Sequence, residues 1–223
     1  MVVENDLSAD ALMELVAVDG EKWNSVPSDE TIARAAKAIE NRGITVVVVE
    51  NKQQALAKVK ELIPPGAEVS NGSSTTLIEI GFTDYFMAGK HGWKNLKEAI
   101  VAETDKVKQS DLSRKSEAAD YFLSSVNAIA ETGELVACDA TGSRVGAFPF
   151  AAKNLVLVSG VNKIVPTLQD ALARINEFVF PIENERAKKA YGVGSTMGKF
   201  VIISREITPG RITLILVRGK LGF

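Results

Sequence analysis

The run Ile44-Thr45-Val46-Val47-Val48-Val49 constrains the fold most, because every side chain in it is β-branched. Such side chains are stiff about χ1 and suit a pleated strand better than a helix. Successive strand residues point to opposite faces, so an unbroken apolar run offers water no polar side. It predicts a strand covered on both faces, as in a parallel sheet between helical layers. Residues 155–159, Leu-Val-Leu-Val-Ser, repeat the pattern. Helical segments separate these runs. Pro27-Ser28-Asp29-Glu30 is a helix start with acid in its first turn, followed by Ile32, Ala35, Ala36 and Ile39 at helical spacing and by Gly43 as a stop. Asn51 begins another helix, which carries Ala55, Leu56, Val59, Leu62 and Ile63 up to Pro64-Pro65-Gly66. This alternation predicts an α/β fold, a mostly parallel open sheet with helices on both faces.

The rest of the chain extends that reading. Ser8 is placed to cap a helix over residues 9–18, so residues 1–24 form an N-terminal helical arm and 25–223 a single α/β domain. Residues 82–92 read as an irregular segment anchored by Phe82, Tyr85, Phe86 and Trp93. Helices are expected near 95–101 and 105–117. A strand at 119–126 is followed by a turn at 127–133 and a strand at 134–138, and residues 145–150 read as a helix despite Pro149. Thr167 and Asp170 form a capping pair for a helix over 168–178, with a further helical piece at 181–189. Residues 200–204 and 212–217 read as an antiparallel strand pair joined across Pro209-Gly210.

Composition removes several classes of function. A net charge of −2, with Lys and Arg spread along the chain, provides no basic stripe for nucleic acid. Cys138 is the single cysteine and His91 the single histidine, so an internal disulfide is excluded and soft metal ligands are scarce. No metal or other cofactor is expected within the chain. His91, beside Gly92, reads as an exposed loop residue. The first twenty residues begin acidic and lack a signal-peptide core, and no run reaches the length of a membrane span; a cytoplasmic protein is expected. Residues 192–199, Gly-Val-Gly-Ser-Thr-Met-Gly-Lys, have the composition of a phosphate-binding loop. Val193 stands where the first glycine would fall, however, and Phe200 replaces the Ser or Thr that should follow the lysine. They read as a glycine-rich loop bordering a site, not as an ATPase motif.

Three polar segments follow predicted strands and are candidates for a ligand site. The first is Asn71-Gly72-Ser73-Ser74-Thr75-Thr76, leading into a helix with Leu77, Ile78 and Ile80 that Gly81 can stop. Free backbone N–H groups in a first helical turn attract anions, and clustered hydroxyls add donors. One hydroxyl suffices for capping, which leaves three for another purpose. The second is Asp139-Ala140-Thr141-Gly142-Ser143-Arg144, whose arginine can grip a carboxylate or phosphate through two parallel hydrogen bonds. Asn162-Lys163 is the third. In an open parallel sheet all three would meet at the carboxyl ends of the strands.

These same residues carry a resemblance to the LUD-domain family, which includes lactate utilization proteins of the LutC and YkgG types. The similar stretches are Pro27-Ser28-Asp29-Glu30-Thr31, Ile63-Pro64-Pro65-Gly66-Ala67, residues 73–81, 125–136 and 139–145, Val161-Asn162-Lys163-Ile164-Val165 and residues 211–223. The resemblance implies a fold like that of the glucosamine-phosphate deaminase (NagB), ribose-phosphate isomerase (RpiA) and CoA-transferase group. It also implies a part in organic-acid (lactate) utilization, with iron-sulfur lactate-oxidation subunits and a second copy of the chain as partners. On that footing a small anionic metabolite binds through Asn71, Gly72, Ser73, Ser74, Thr75, Thr76, Asn127, Thr141, Gly142, Ser143, Arg144, Asn162 and Lys163. The alternatives are a stand-alone sugar-phosphate isomerase or CoA-transferase-like enzyme, and a non-catalytic subunit of a lactate dehydrogenase assembly. Ser125-Val126-Asn127 is similar to a Gly-Ala-Asp segment whose aspartate transfers protons in related isomerases. An asparagine amide has no proton to exchange near neutrality, which leaves Asp139 as the candidate acid/base. Many family members carry cysteines near residues 191–198, and this chain has none there.

Overall fold

A computed structural model describes residues 9–223. Six parallel strands form the main sheet: β1 (Thr45–Val49), β2 (Glu68–Asn71), β3 (Lys94–Asn95), β4 (Tyr121–Ser124), β7 (Asn154–Gly160) and β10 (Ile212–Val217), in the order β1-β10-β7-β4-β2-β3. Four shorter strands form a second sheet: β5 (Ala128–Ala130), β6 (Leu135–Asp139), β8 (Ile164–Val165) and β9 (Lys199–Ile203), in the order β8-β5-β6-β9. Within it β5 pairs antiparallel with β6, β6 antiparallel with β9, and β5 parallel with β8. The α/β class and the predominance of parallel strands agree with the sequence.

Alternation along the central strands shows why they are apolar throughout. In β10, Ile212, Leu214 and Leu216 enter the core on one face while Ile215 and Val217 enter it on the other; Leu155 and Leu157 of β7 oppose Val156 and Val158 in the same way. One face is covered by α3 (Asp29–Glu40) and the second sheet, through Ile32, Ala35, Ile39, Ile129 and Leu135. The other is covered by α4 (Lys52–Leu62), α5 (Thr75–Glu79) and α6 (Phe82–Met87), through Ala55, Val59, Leu77, Phe82 and Phe86. The β-branched run at β1 is covered on both faces only in part: Val46 packs half-buried on one side, Val47 half-buried and Val49 buried on the other. It nevertheless forms an edge of the sheet, and Val48 is exposed. A side-chain pattern reports which faces are covered, not whether a neighbour pairs at the edge.

Helix starts follow their caps. Ser28 Oγ accepts from Thr31 N, Asn51 Oδ1 from Gln54 N, and Thr167 and Asp170 form a complete capping box at α9 (Leu168–Arg174). The helices near 95–101 and 105–117 are α7 (Leu96–Ala102) and α8 (Lys106–Ser116).

Several expectations are corrected. Residues 82–92 are not irregular, since α6 opens them. His91 is not a free loop side chain: Nδ1 accepts from Trp93 N at 3.0 Å, Nε2 faces Phe86 O at 2.9 Å, and the ring stacks on Trp93. The expected turn at 127–133 contains β5. Pro149 wins over the helix expected at 145–150, and only a 3-10 turn at Val145–Ala147 forms. Strands β9 and β10 do not pair with each other; β9 lies at the edge of the second sheet, and β10 lies between β1 and β7. The loop crossing between the sheets is held by Arg211, which pairs with Glu206 at 2.6 Å and donates to Phe148 O at 2.7 Å and Ala152 O at 3.1 Å. The helix expected at 168–178 runs as α9, then widens to a π-helix at Ile175–Val179 before α10 (Phe180–Tyr191).

The first helix is shorter than expected. Helix α1 (Ala9–Met13) ends well before residue 18, and α2 (Gly20–Trp23) follows; Ser8 lies outside the described residues. Leu12 and Trp23 pack into a third cluster with Ile175, Phe178, Ile182 and Phe223.

Candidate functional site

The strand order reverses between β2 and β4. From β2 the chain moves outward to β3, whereas from β4 it moves inward to β7 and then β10. Ligands in open α/β sheets bind outside the carboxyl ends of the strands at such a reversal. The exits of β2 and β4 here hold Gly72 and Thr76 on one side and Ser124, Ser125, Val126 and Asn127 on the other.

Three cations converge on consecutive carbonyls of that second exit. Arg144 Nη1 donates to Ser125 O at 2.7 Å, Lys163 Nζ donates to Val126 O at 3.1 Å, and Arg174 Nη1 donates to Asn127 O. Arg144 also donates to Cys138 O at 2.6 Å and Asn127 Oδ1 at 3.0 Å. Its stem crosses Gly72, where an added Cβ would overlap Cγ and approach Cδ within 2.8 Å. Only glycine leaves room there. Lys163 Nζ completes a triangle with Thr76 Oγ1 at 3.1 Å and Ser125 Oγ at 3.2 Å, whose hydroxyls are 3.3 Å apart.

Lys163 and Arg174 are 2% and 0% exposed, yet none of the three cations forms an ion pair with a carboxylate among the described residues. Burial pulls Lys163 well below the ordinary lysine range; the charges of Arg174 and Arg144 act the same way and Glu79 opposes them. Burial also pulls Arg174 down to about 9. Its Nη2 is buried without a hydrogen-bond partner, its Nε donates to Trp23 O at 2.8 Å, and its guanidinium lies 5.0 Å from the Phe178 ring.

The sequence candidates divide. Gly72, Thr76, Asn127, Arg144 and Lys163 come together in this cluster. Asn127 acts through its oxygen, which accepts from both Cys138 N and Arg144. Asn162 is buried beside them as a structural tie: it donates to Asn24 Oδ1 at 2.6 Å and Gly222 O at 3.4 Å, and accepts from Leu221 N at 3.1 Å. Ser74 spends its hydroxyl capping Leu77 N, Asn71 bonds to Gly72 O, and Ser73 is exposed. Thr75 opens α5, half-buried. Thr141 and Ser143 are exposed and bonded to each other, with Gly142 beside Lys199. The segment 139–144 follows β6, a strand of the other sheet, so Arg144 reaches the cluster from outside the main sheet.

Asp139 is engaged as a cap. Its Oδ2 accepts from Arg144 N at 2.8 Å and Val145 N at 3.4 Å, closing the turn that aims Arg144. A second carboxyl that the sequence did not point to, Glu117, is held above the usual carboxylate range by burial and by the charge of Asp139, with Arg114 opposing. Arg174 was also missed. Its signal was present: Ala171, Arg174, Ile175 and Phe178 share one helical face, so the arginine sits in an apolar stripe.

A family model described as the LUD domain matches residues 32–220. The chain belongs to the LUD-domain family. The match spans all three exits and the cation cluster. No curated relative matches the chain. A crystal structure of a DUF162 family protein from Deinococcus radiodurans shares 14% identity and a TM-score of 0.48, over 86% of this chain and 99% of that one. Among the described residues, no helix is long and apolar enough to cross a membrane, and no group of three or more His, Cys, Asp or Glu could hold a metal ion.

Proposed function

We infer that this LUD-domain protein binds a small organic-acid anion at the strand-order reversal, in the service of lactate utilization. The observation that carries this reading is the trio of Arg144, Lys163 and Arg174 on consecutive carbonyls with no carboxylate ion pair. Backbone carbonyls and hydroxyls satisfy hydrogen bonds but do not neutralise charge, and an uncompensated buried cation is costly. Three carboxylates exert charge on the cluster from a distance, Asp139 and Glu183 on Arg144 and Glu79 on Lys163, but none of them forms an ion pair with it. The family's tie to lactate makes L-lactate and pyruvate the first ligands to test. The role of Asn127, Ser125 and Asp139 is to hold Arg144 and Lys163 in place.

The test is a thermal-shift series with L-lactate, pyruvate and inorganic phosphate on the wild type and on Arg144→Ala. Stabilisation by the carboxylates that disappears in the variant supports the reading. Equal stabilisation of both proteins, or stabilisation of the wild type by phosphate alone, refutes it.

A further inference from the structure

The anion site contains an amine as well as guanidinium groups, and the two differ in what they can do. Lys163 Nζ is buried, has no carboxylate ion pair, and lies in the field of two guanidinium groups anchored on the neighbouring carbonyls Ser125 O and Asn127 O. A lysine desolvated beside other cations is held as the free amine, the form that attacks carbonyl carbon. Its partners fit that form. Val126 O takes one N–H, and Thr76 Oγ1 and Ser125 Oγ are hydroxyls that can accept a hydrogen bond from the amine or donate one to its lone pair. Arg174 meanwhile keeps one buried nitrogen, Nη2, without any partner.

Resting on the anion-binding reading, we propose that Lys163 forms a Schiff base with a small 2-oxo acid, whose carboxylate is held by the neighbouring guanidinium groups. A carboxylate adjacent to a carbonyl is the combination that a guanidinium beside an amine recognises. The Nζ lone pair adds to the carbonyl carbon to give a carbinolamine, and the carbonyl oxygen then leaves as water with both amine protons. A C=N bond replaces the C=O bond with no change in oxidation state. The Thr76 and Ser125 hydroxyls are placed to relay the protons.

Residues 221–223 lie against Nζ. Gly222 packs so closely that an added Cβ would lie 2.6 Å from Thr76 Oγ1 and 3.3 Å from Nζ. This segment is tied by Leu221 N to Asn162 Oδ1 at 3.1 Å, Gly222 N to Glu79 Oε2 at 2.9 Å, and Asn162 Nδ2 to Gly222 O at 3.4 Å. Lifting it breaks these hydrogen bonds and draws Leu221 and Phe223 out of their apolar clusters, but leaves both sheets intact.

The experiment is borohydride trapping. The full chain is incubated with pyruvate, reduced with sodium borohydride and mapped by peptide mass spectrometry. The expected result is an N-carboxyethyl group on Lys163, absent without pyruvate and from Lys163→Arg, and suppressed by excess L-lactate, which has the carboxylate but no carbonyl. No adduct at Lys163, or adducts spread equally over exposed lysines, overturns the proposal. Thermal stabilisation measured on the same samples separates the two readings. Stabilisation by pyruvate without an adduct leaves the anion site standing and removes the amine chemistry, whereas neither signal removes both.

Discussion

Replacing Gly72 with alanine tests whether the close crossing of Arg144 is what organises the site. The added methyl has no backbone penalty of its own, because Gly72 is not among the glycines with positive φ. It must instead displace the Arg144 stem, which it would overlap at Cγ. The guanidinium then loses its grip on Ser125 O, Cys138 O and Asn127 Oδ1, bonds of 2.7, 2.6 and 3.0 Å. Hydrogen bonds to charged groups contribute about 1.5–3 kcal/mol each, and a half-exposed arginine regains some of that from water, so the net cost is about 2–4 kcal/mol. For a chain of this size that lowers the melting temperature by roughly 5–15 °C. The decisive comparison is a double-mutant cycle in urea with Arg144→Ala. Truncation removes Cγ and Cδ, and the nearest remaining Arg144 atom is Cβ at 3.0 Å from the new methyl. In that background the alanine should cost less than about 1 kcal/mol, a coupling of about 2 kcal/mol. An equal cost in both backgrounds, or a wild-type cost below about 0.5 kcal/mol, would refute the claim that Gly72 exists to seat Arg144.

Other outcomes follow from the same geometry. Lys163 has a folded-state pKa below its unfolded value, so the unfolded chain binds more protons across that interval and stability rises with pH through it; denaturation curves should show the wild type gaining on Lys163→Met as pH rises toward the unfolded lysine value of about 10, and a parallel pair of profiles would contradict it. Burial pushes Glu206 up, but hydrogen bonds from Thr208 N and Arg211 outweigh it and hold the carboxyl below its usual value. Its contribution is therefore present above the unfolded pKa and lost as pH falls through the folded one, and an acid melt of Glu206→Gln should lack that loss. Arg211→Ala, which strands a nearly buried Glu206, should cost about 3–5 kcal/mol by chemical denaturation. Thr167→Ala removes half of the capping box at α9 and should cost about 1 kcal/mol, with no effect on anion binding.

What could be foreseen in the chain depended on how local its cause was. Caps at Ser28, Asn51 and Thr167 act over three residues, and each was plain in the sequence. The coverage of both faces was plain as well, since a residue such as Leu155 or Val156 needs only an apolar layer above or below it. Pairing partners were not. Nothing in residues 199–203 distinguishes a strand that joins β6 from one that joins β10, because the choice depends on Arg211 and Glu206 steering the loop between them. The site shows the same division. Arg144 and Lys163 stood out as charges after strands, and they do meet, but the hydroxyls around them separate into a cap at Ser74, a partner at Thr76 and exposed groups at Ser73, Thr141 and Ser143. Only the fold sorts side chains of one chemistry into these places. Arg174 shows the opposite case, a charge hidden among apolar neighbours whose spacing would have exposed it.

The position of β10 has a consequence for how the protein is made. Its register pairs Thr213 with Thr45 on one side and with Val156 on the other, so the strand that joins β1 to the rest of the main sheet is synthesised after every other described strand. Until residues 212–217 leave the ribosome, β1 and β7 each present an open hydrogen-bonding edge with apolar faces beside it. Such edges invite pairing with other chains. Translation of β10 is the step that closes these two edges, and a nascent chain stalled before it would call for a chaperone that shields strand edges.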